Sequence, residues 1–144
     1  PGAFRAHMES QLEVEEGRER SAYPDSRGYW TIGIGHLIDK RLGGGLSNPA
    51  IDFIFAEDEE NVNAGLDAKI PGWRSYPDAH QIVLADLCFN MGVYRLLGFK
   101  NMLACLAKGD GDGAADELLN SAWAREVQAS RRDTLVNLLK TGVV

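Results

Sequence analysis

The stretch Glu15–Leu37, EEGRERSAYPDSRGYWTIGIGHL, decides the fold class because its residue pattern changes from that of a helix to that of strands. Before it, the apolar side chains of Phe4, Met8 and Leu12 recur every four residues, a spacing that predicts a helix. Gly17 belongs to the residue type that most often ends helices. The helix is therefore predicted to end inside the stretch, at the residue before Gly17.

After this helix the stretch has the pattern of a β-hairpin. Residues 21–23 predict a short strand, PDSRG at residues 24–28 predicts a turn, and residues 29–34 predict a second strand. Because side chains alternate between the two faces of a strand, the second strand has a core-facing set and an open set. The core-facing set is predicted to be Trp30, Ile32 and Ile34, and the open set Tyr29, Thr31 and Gly33.

The rest of the chain is predicted to be helical. After a loop at residues 38–46, Ser47 and Pro49 predict the start of a long helix that ends before Pro71. A few early strands followed by several helices indicate an α+β fold that is mainly helical. The apolar stripe of the long helix is predicted to be Ile51, Ile54, Phe55, Val62 and Leu66. Shorter helices are predicted at about 78–91, 100–108, 112–119 with Asp112 as the cap, around Trp123, and at 130–139.

The length of 144 residues suits one domain. We interpret residues 1–7 as an expression scar and residues 8–144 as a single domain. Within this domain we predict a small lobe at about 17–46 and a long connecting helix at about 47–69. A larger helical lobe is expected to contain residues 72–144 together with the N-terminal helix.

The composition is that of an ordinary folded protein, and it argues against several classes. The net charge is −6 and no basic stripe with interleaved aromatic residues is present, which argues against a nucleic-acid partner. No apolar run approaches the roughly 18 residues of a membrane span, and we predict no signal peptide. Cys88 and Cys105 have no cysteine or histidine at zinc spacing. We interpret them as buried free thiols, with a disulfide as the alternative, and predict no metal or cofactor.

Two acidic residues in the stretch, Glu16 and Asp25, are candidates for glycosidic bond cleavage. This reaction needs two carboxyl groups, one protonated to donate to the leaving oxygen and one ionised. A glutamate packed against apolar neighbours suits the protonated role, whereas an aspartate in an open turn stays ionised. Thr31 is a candidate to hold the attacking water with Asp25. Pairs of acids are common, however, and Glu15 and Glu16 are equally interpretable as solvated surface residues.

Three segments of the chain carry a more specific signal. The first is Glu16-Gly17 followed by Tyr23-x-Asp25 and the TIGIGH sequence that begins at Thr31. The second is LCFNMG at residues 87–92, and the third is Trp123 with the paired arginines at 131–132. Together they resemble the phage-type lysozymes, the glycoside hydrolase family of the T-even bacteriophage lysozyme, over nearly the whole chain from Met8.

The resemblance implies a lysozyme-like fold with an active-site cleft between two lobes. It implies a muramidase that cuts the β-1,4 bond between N-acetylmuramic acid and N-acetylglucosamine in bacterial peptidoglycan, with inversion. Carried over by position, Glu16 is the general acid, Asp25 the base or stabilising carboxylate, and Thr31 the residue that positions water. Residues that line the sugar groove in relatives correspond to Leu37, Phe89, Met102 and Glu117, with Phe89 also interpretable as a core residue.

The resemblance also implies supporting residues and a biological setting. We expect His36 to be structural and paired with Asp58, with Asn61 as the fallback partner and a role as a second base as the alternative. Arg131 is expected to reach toward the catalytic segment, although an ordinary surface arginine is the alternative. We expect a monomeric phage endolysin that stays in the host cytoplasm until a holin-type protein gives it access to the wall. The alternatives are a glycan-binding module without activity and a lytic transglycosylase.

Overall fold

The computed structural model describes residues 2–40 and 45–144, with side chains described from residue 5 onward, and it is mainly helical with one small sheet. This confirms the α+β prediction. Residues 41–44 of the predicted loop, and the side chain of Phe4, lie outside the described part. In chain order the elements are α1 (Gly2–Glu16), β1 (Glu19–Pro24), β2 (Trp30–Gly33), β3 (His36–Leu37), α2 (Asn48–Lys69), a 3₁₀ turn (Trp73–Ser75), α3 (Asp78–Met91), α4 (Val93–Leu96), α5 (Lys100–Ala107), α6 (Gly111–Leu119), α7 (Ala122–Glu126) and α8 (Ala129–Thr141).

The sheet is antiparallel with the strand order β1-β2-β3, so β2 is its central strand. Thr31 on β2 pairs with Tyr23 on β1 and with Leu37 on β3. The predicted hairpin is confirmed. The third strand was not predicted, because its two residues are too few to show an alternating pattern.

The faces predicted for β2 are wrong at Trp30 and Thr31, while Ile32 and Ile34 of the predicted core-facing set are half-buried. Thr31 is buried with 6% of its surface exposed, whereas Trp30 is 40% exposed. Cross-strand partners lie on one face of a sheet, so the larger Tyr23 and Leu37 side chains flank Thr31 and shield it. Trp30 is the first residue of β2; it pairs with Pro24 at the end of β1, and its carbonyl accepts from Ile38 N at 2.9 Å.

The apolar stripe predicted for α2 is correct only at its C-terminal end. Leu66 is fully buried and Val62 packs against the core, but Ile51, Ile54 and Phe55 are 43–56% exposed. The described core includes Val62 and Leu66 of α2, whereas the three exposed residues lie in its first turns. A helical period in the sequence therefore identified the helix without identifying which turns it buries.

The buried core of the described residues is formed by the end of α2 and the helices that follow it. Its largest fully buried side chains include Leu84, Leu87, Met102 and Leu118. Cys88 is buried and Cys105 half-buried, and both are free thiols, which excludes the disulfide alternative. Burial raises the pKa of the Cys88 thiol. The α6 cap is Asp110, whose Oδ1 accepts from Gly113 N at 2.8 Å, so the prediction of Asp112 as the cap is wrong.

The chain divides into two units, Pro1–Phe55 and Ala56–Val144, called here the first and second unit. Helix α1 belongs to the first unit with the sheet, whereas the sequence pattern grouped it with the later helices. The interpretation of residues 8–144 as one domain stays a prediction. Across the described ranges, each helix is too short or too polar to cross a membrane.

Candidate active site

Glu16 is the last residue of α1, and this helix end is held by its own side chains. The N–H of Gly17 donates to the Glu13 carbonyl at 3.0 Å, as the glycine signal predicted. Arg18 turns back along the helix, donating from Nε to Glu13 at 2.7 Å and from a terminal nitrogen to Glu9 at 3.0 Å. The hydrogen bond from Arg18 lowers the pKa of the Glu13 carboxyl. These pairs are exposed and therefore add little stability.

The Glu16 side chain lies against the turn that joins β2 to β3. A Cβ added to Gly35 in this turn would be 2.9 Å from Cγ and Oε2 of Glu16 and 3.0 Å from its Cδ. Gly35 also has a φ of +64°, a conformation that side chains disfavour. Because Gly35 has no Cβ, the Glu16 carboxylate can occupy the space next to its backbone. Glu16 is exposed, so the apolar packing expected around it is not observed in the described residues.

Asp25 lies in the turn between β1 and β2, and its carboxylate is held by backbone donors. Oδ1 accepts from Tyr29 N at 2.9 Å and from Arg27 N at 2.8 Å. The turn itself is closed by bonds from Asp25 N to Tyr29 O and from Gly28 N to Asp25 O. The bond from the Tyr29 N–H, with smaller contributions from the Arg27 N–H and the Arg27 charge, lowers the pKa of the Asp25 carboxyl. Asp25 is thus an ionised group in a fixed position.

Thr31 is connected to Asp25 through the backbone of Tyr29. The Tyr29 N–H donates to the Asp25 carboxylate, while the Tyr29 carbonyl accepts from Asp25 N and, at 3.4 Å, from the Thr31 hydroxyl. The last distance is long for a hydroxyl donor, so this bond is weak. Because the hydroxyl is so weakly held, it retains hydrogen-bonding capacity for another partner. The aspartate and the threonine are therefore linked through the backbone of one residue, Tyr29.

The first unit consequently contains all three predicted catalytic residues. Glu16 is supplied by the end of α1, Asp25 by the β1–β2 turn and Thr31 by the central strand. Such an arrangement can present one carboxyl group on a helix and one ionised carboxylate on a rigid turn. That is the pair of groups required for acid–base cleavage of a glycosidic bond.

Two more predicted residues of the first unit lie on β3. Leu37 pairs with Thr31 and is 41% exposed, and His36 pairs with Ile32 and is also exposed. Leu37 is therefore accessible next to the central strand. Asp58, the expected partner of His36, belongs to the second unit, and their pairing stays a prediction.

In the second unit, two predicted sugar contacts line one groove. The Glu117 groove encloses about 540 Å³, and Asn101 Nδ2 donates to Glu117 Oε2 at 3.2 Å within it. Met102 contributes only its edge, because 99% of its surface is buried in the core. The groove is defined by Arg95, Phe99, Lys100, Asn101, Met102 and Glu117, among other residues.

Phe89 lies in a different place from Met102 and Glu117. It lines the Phe89 groove, a space of about 340 Å³ that also contains Asp58, Asn61, Cys88 and Val93. Its side chain is 51% exposed, so the core alternative for Phe89 is wrong. The structure thus brings Phe89 together with Asp58, which the sequence had assigned to different roles.

The Arg131 side chain forms its ion pair with Asp86, a residue of the second unit. Its Nε donates to Asp86 Oδ1 at 2.8 Å, which ties α8 to α3. Its predicted reach toward the catalytic segment stays a prediction. Arg131 also lines the Trp123 groove, a space of about 420 Å³ in which Trp123 Nε1 donates to Asn90 Oδ1 at 2.9 Å. Other residues of this groove are Arg95, Glu126 and Gln128.

Asp86 and Asn90 were missed as partners in this region. Asn90 was inside the LCFNMG motif, which was the available signal, whereas Asp86 is 45 residues from Arg131 and gave none. Within residues 2–40 and 45–144, no cluster of histidine, cysteine or acidic side chains is arranged to hold a metal ion.

Comparison with known proteins places this geometry in a family. The protein named Probable T4-type lysozyme 1 from Dictyostelium discoideum is 23% identical, and the match covers 95% of each chain. The Endolysin of Acyrthosiphon pisum secondary endosymbiont phage 1 is 28% identical over 87% of this chain and 82% of its own. The Pre-baseplate central spike protein Gp5 of Enterobacteria phage T4 is 26% identical over 94% of this chain but only 28% of its own. The phage lysozyme family matches residues 13–138, so this chain belongs to the phage lysozyme family.

Proposed function

We propose that this chain is a peptidoglycan hydrolase that cleaves the β-1,4 bond between N-acetylmuramic acid and N-acetylglucosamine. The observation that carries this proposal is the fixed, ionised Asp25 carboxylate in the same unit as Glu16. Membership of the phage lysozyme family supports the same reaction class. The names of the relatives, which include lysozymes and an endolysin, agree with it.

The proposed roles follow from where each group is held. Glu16, on the helix end, donates a proton to the leaving oxygen. Asp25, ionised by the backbone donors of its turn, activates the attacking water. Thr31 helps to orient that water, since its hydroxyl is only weakly bound to the Tyr29 carbonyl.

Mass spectrometry of digested peptidoglycan tests the proposed reaction. The wild type should release fragments that end in reducing N-acetylmuramic acid. Glu16→Gln should lower the rate by about 10²–10⁴-fold, the range typical of general acid catalysis. Glu15→Gln is the matched control, because Glu15 is also exposed near the same helix end and should be dispensable.

The other outcomes identify the alternatives. Anhydro sugar ends, with little loss in Asp25→Ala, would show a lytic transglycosylase. Binding to peptidoglycan with no product from the wild type would show a glycan-binding module. Equal losses in Glu15→Gln and Glu16→Gln would contradict the assignment of Glu16 as the acid.

We also propose that the reaction proceeds with inversion, as the family resemblance implies. In an inverting enzyme the two carboxyl groups are separated widely enough for water to attack from the opposite face of the sugar. An NMR time course on a defined glycan should therefore show the α-anomer first. Initial formation of the β-anomer would contradict inversion.

The proposed sugar contacts come from both units. Leu37 is exposed next to Thr31, while Phe89, Met102 and Glu117 line grooves of the second unit. The proposed supporting residues are His36 with Asp58, and Arg131. Phe89→Ala should raise the KM, since the Phe89 ring is 51% exposed and presents apolar surface in the Phe89 groove.

The setting we propose is that of a phage endolysin that acts as a monomer on the host cell wall. It would accumulate in the bacterial cytoplasm until a separate holin-type protein opens the membrane. Similarity to a phage endolysin supports this role. Cells that express the chain should lyse only after their membrane is permeabilised, and Glu16→Gln should prevent that lysis. Lysis without permeabilisation would contradict the need for a holin-type protein.

A further inference from the structure

Arg95 occupies a special position in the second unit because it lines two grooves. It is exposed in the last turn of α4, and it contributes to both the Glu117 groove and the Trp123 groove. The other lining residues of these grooves belong to one groove or the other. The Arg95 side chain therefore lies where the two spaces adjoin.

Arg95 forms no ion pair with the acidic side chains that share its grooves, Glu117 and Glu126. Among the described residues it has no ion pair, and the same is true of Lys100 in the Glu117 groove. Two other charged groups of the grooves have partners within the protein, since Arg131 binds Asp86 and Glu117 accepts from Asn101. Two unpaired cations thus lie in one groove of a chain whose net charge is −6.

An unpaired arginine in a groove has a specific chemical preference. The guanidinium is planar and presents its N–H donors as a fork that fits the two oxygens of a carboxylate. A nearby lysine adds a point charge of the same sign. Arg95 makes no side-chain hydrogen bond within the described structure, so it does not tie elements together and is available to a ligand.

We infer that Arg95, assisted by Lys100, binds a carboxylate of the peptidoglycan strand and so determines substrate specificity. This inference rests on the proposed hydrolase function. Peptidoglycan offers carboxylates from two sources: the peptide stems, and the lactyl group of muramic acid where a stem has been removed. The glycan sugars are otherwise neutral. A cationic side chain in a groove therefore binds strands that carry a carboxylate more tightly than strands that lack one.

Steady-state kinetics on three strands test the inference. The strands are intact peptidoglycan, peptidoglycan with stem carboxylates converted to amides, and strands stripped of stems by an amidase. The wild type should have a KM about tenfold lower on strands that carry the bound carboxylate, as expected for one charge-assisted hydrogen bond pair. A low KM on intact strands alone identifies the stems, and a low KM on stripped strands identifies the lactyl group.

Variants at one position show whether Arg95 is responsible. Arg95→Ala should remove the preference and leave kcat unchanged, because an equal loss of binding in the ground and transition states raises only the KM. Arg95→Lys should retain part of it. Arg125→Ala is the control, because Arg125 is an exposed arginine of the same unit that lines neither groove.

Two results would overturn the inference. The first is an Arg95→Ala variant that keeps the wild-type preference among the three strands. The second is a variant that loses the same factor on every strand, which would show a general effect on the fold. Failure of the proposed function is distinguishable from both, because the wild type would then cleave none of the strands.

Discussion

Replacing Gly35 by alanine tests whether the β2–β3 turn positions the Glu16 carboxylate. The added Cβ would lie 2.9 Å from Cγ and Oε2 of Glu16, whereas ordinary van der Waals contact begins at 3.4 Å. The carboxylate must therefore move by about 0.5 Å, the difference between these two distances. Alanine at a φ of +64° also costs about 1–2 kcal/mol of backbone strain.

These two effects act on different measurements. The backbone strain should lower the free energy of unfolding by about 1–2 kcal/mol, measured by urea denaturation. A displacement of 1 Å at a catalytic group can cost about 10²-fold in rate, so a shift of half that size should lower kcat by about tenfold. The kcat is measured from the release of reducing ends.

Gly33→Ala is the matched control for this variant. Gly33 has nearly the same backbone conformation, with a φ of +67°, but a Cβ added there has no atom within 4 Å. It should therefore lose similar stability while keeping the wild-type kcat. Equal activity in the two variants, whether lost or retained, would refute the reasoning that Gly35 makes room for Glu16.

Three further predictions concern charge and packing. Arg27→Gln should raise the pKa of the Asp25 carboxyl only slightly, because the Tyr29 N–H still donates to it, and an unshifted NMR titration of Asp25 would contradict this. The folded pKa of Asp25 is lowered, so its contribution to stability is complete above the unfolded pKa and is lost as the pH falls through the folded pKa. The variant should therefore lose less stability in acid than the wild type does. Leu84→Ala should lower the free energy of unfolding by about 2–5 kcal/mol, because Leu84 is fully buried. Ile82 on the same helix is 41% exposed, so Ile82→Ala should cost less than about 1 kcal/mol. Similar losses for the two variants in urea denaturation would contradict the described core. Arg131→Gln should lower the free energy of unfolding by up to about 1 kcal/mol, and by more than Arg132→Gln does. The Arg131–Asp86 pair is about two-thirds buried, whereas Asp133, the partner of Arg132, is mostly exposed. A double-mutant cycle with Asp86→Asn measures the coupling energy of the Arg131–Asp86 pair, and a coupling of zero would contradict the pair.

The local features that the sequence predicted well are those set by single residues. Gly17 ends α1, and the PDSRG sequence forms the turn that holds Asp25. In each case a backbone requirement is met by one residue type, so the local sequence is sufficient. The family motifs assigned catalytic roles to Glu16, Asp25 and Thr31 by the same kind of short-range spacing, and those roles stay a prediction.

Features that depend on tertiary neighbours were not predictable in this way. Alternation along β2 has a period of two but does not say which face is covered, and the short strand β3 was needed to shield Thr31. Likewise apolar residues recur at both ends of α2, while burial begins only near Val62. Met102 was expected to line a groove and is mainly a core residue, because both roles suit an apolar side chain.

The chemistry of the candidate site was predicted less completely than its position. Asp25 was expected to stay ionised because it lies in an open turn, and the observed cause is two backbone donors. The Glu117 groove and its shared residue Arg95 left no pattern in the sequence, since they arise where α4, α5 and α6 adjoin. Long-range pairs such as Arg131 with Asp86 are invisible for the same reason.

The hydrogen bond between buried His80 and the Leu139 carbonyl, 3.0 Å long, has a consequence for synthesis on the ribosome. Its two ends are 59 residues apart, which at about 5–20 residues per second means several seconds between their translation. Gly111 lies against both ends, because a Cβ there would clash with the Leu139 carbonyl and approach the His80 ring. A nascent chain stalled after α6 would thus contain His80 and Gly111 but not Leu139, whose carbonyl accepts the hydrogen bond from the His80 ring. This contact therefore cannot form before Leu139 of α8 has emerged from the ribosome.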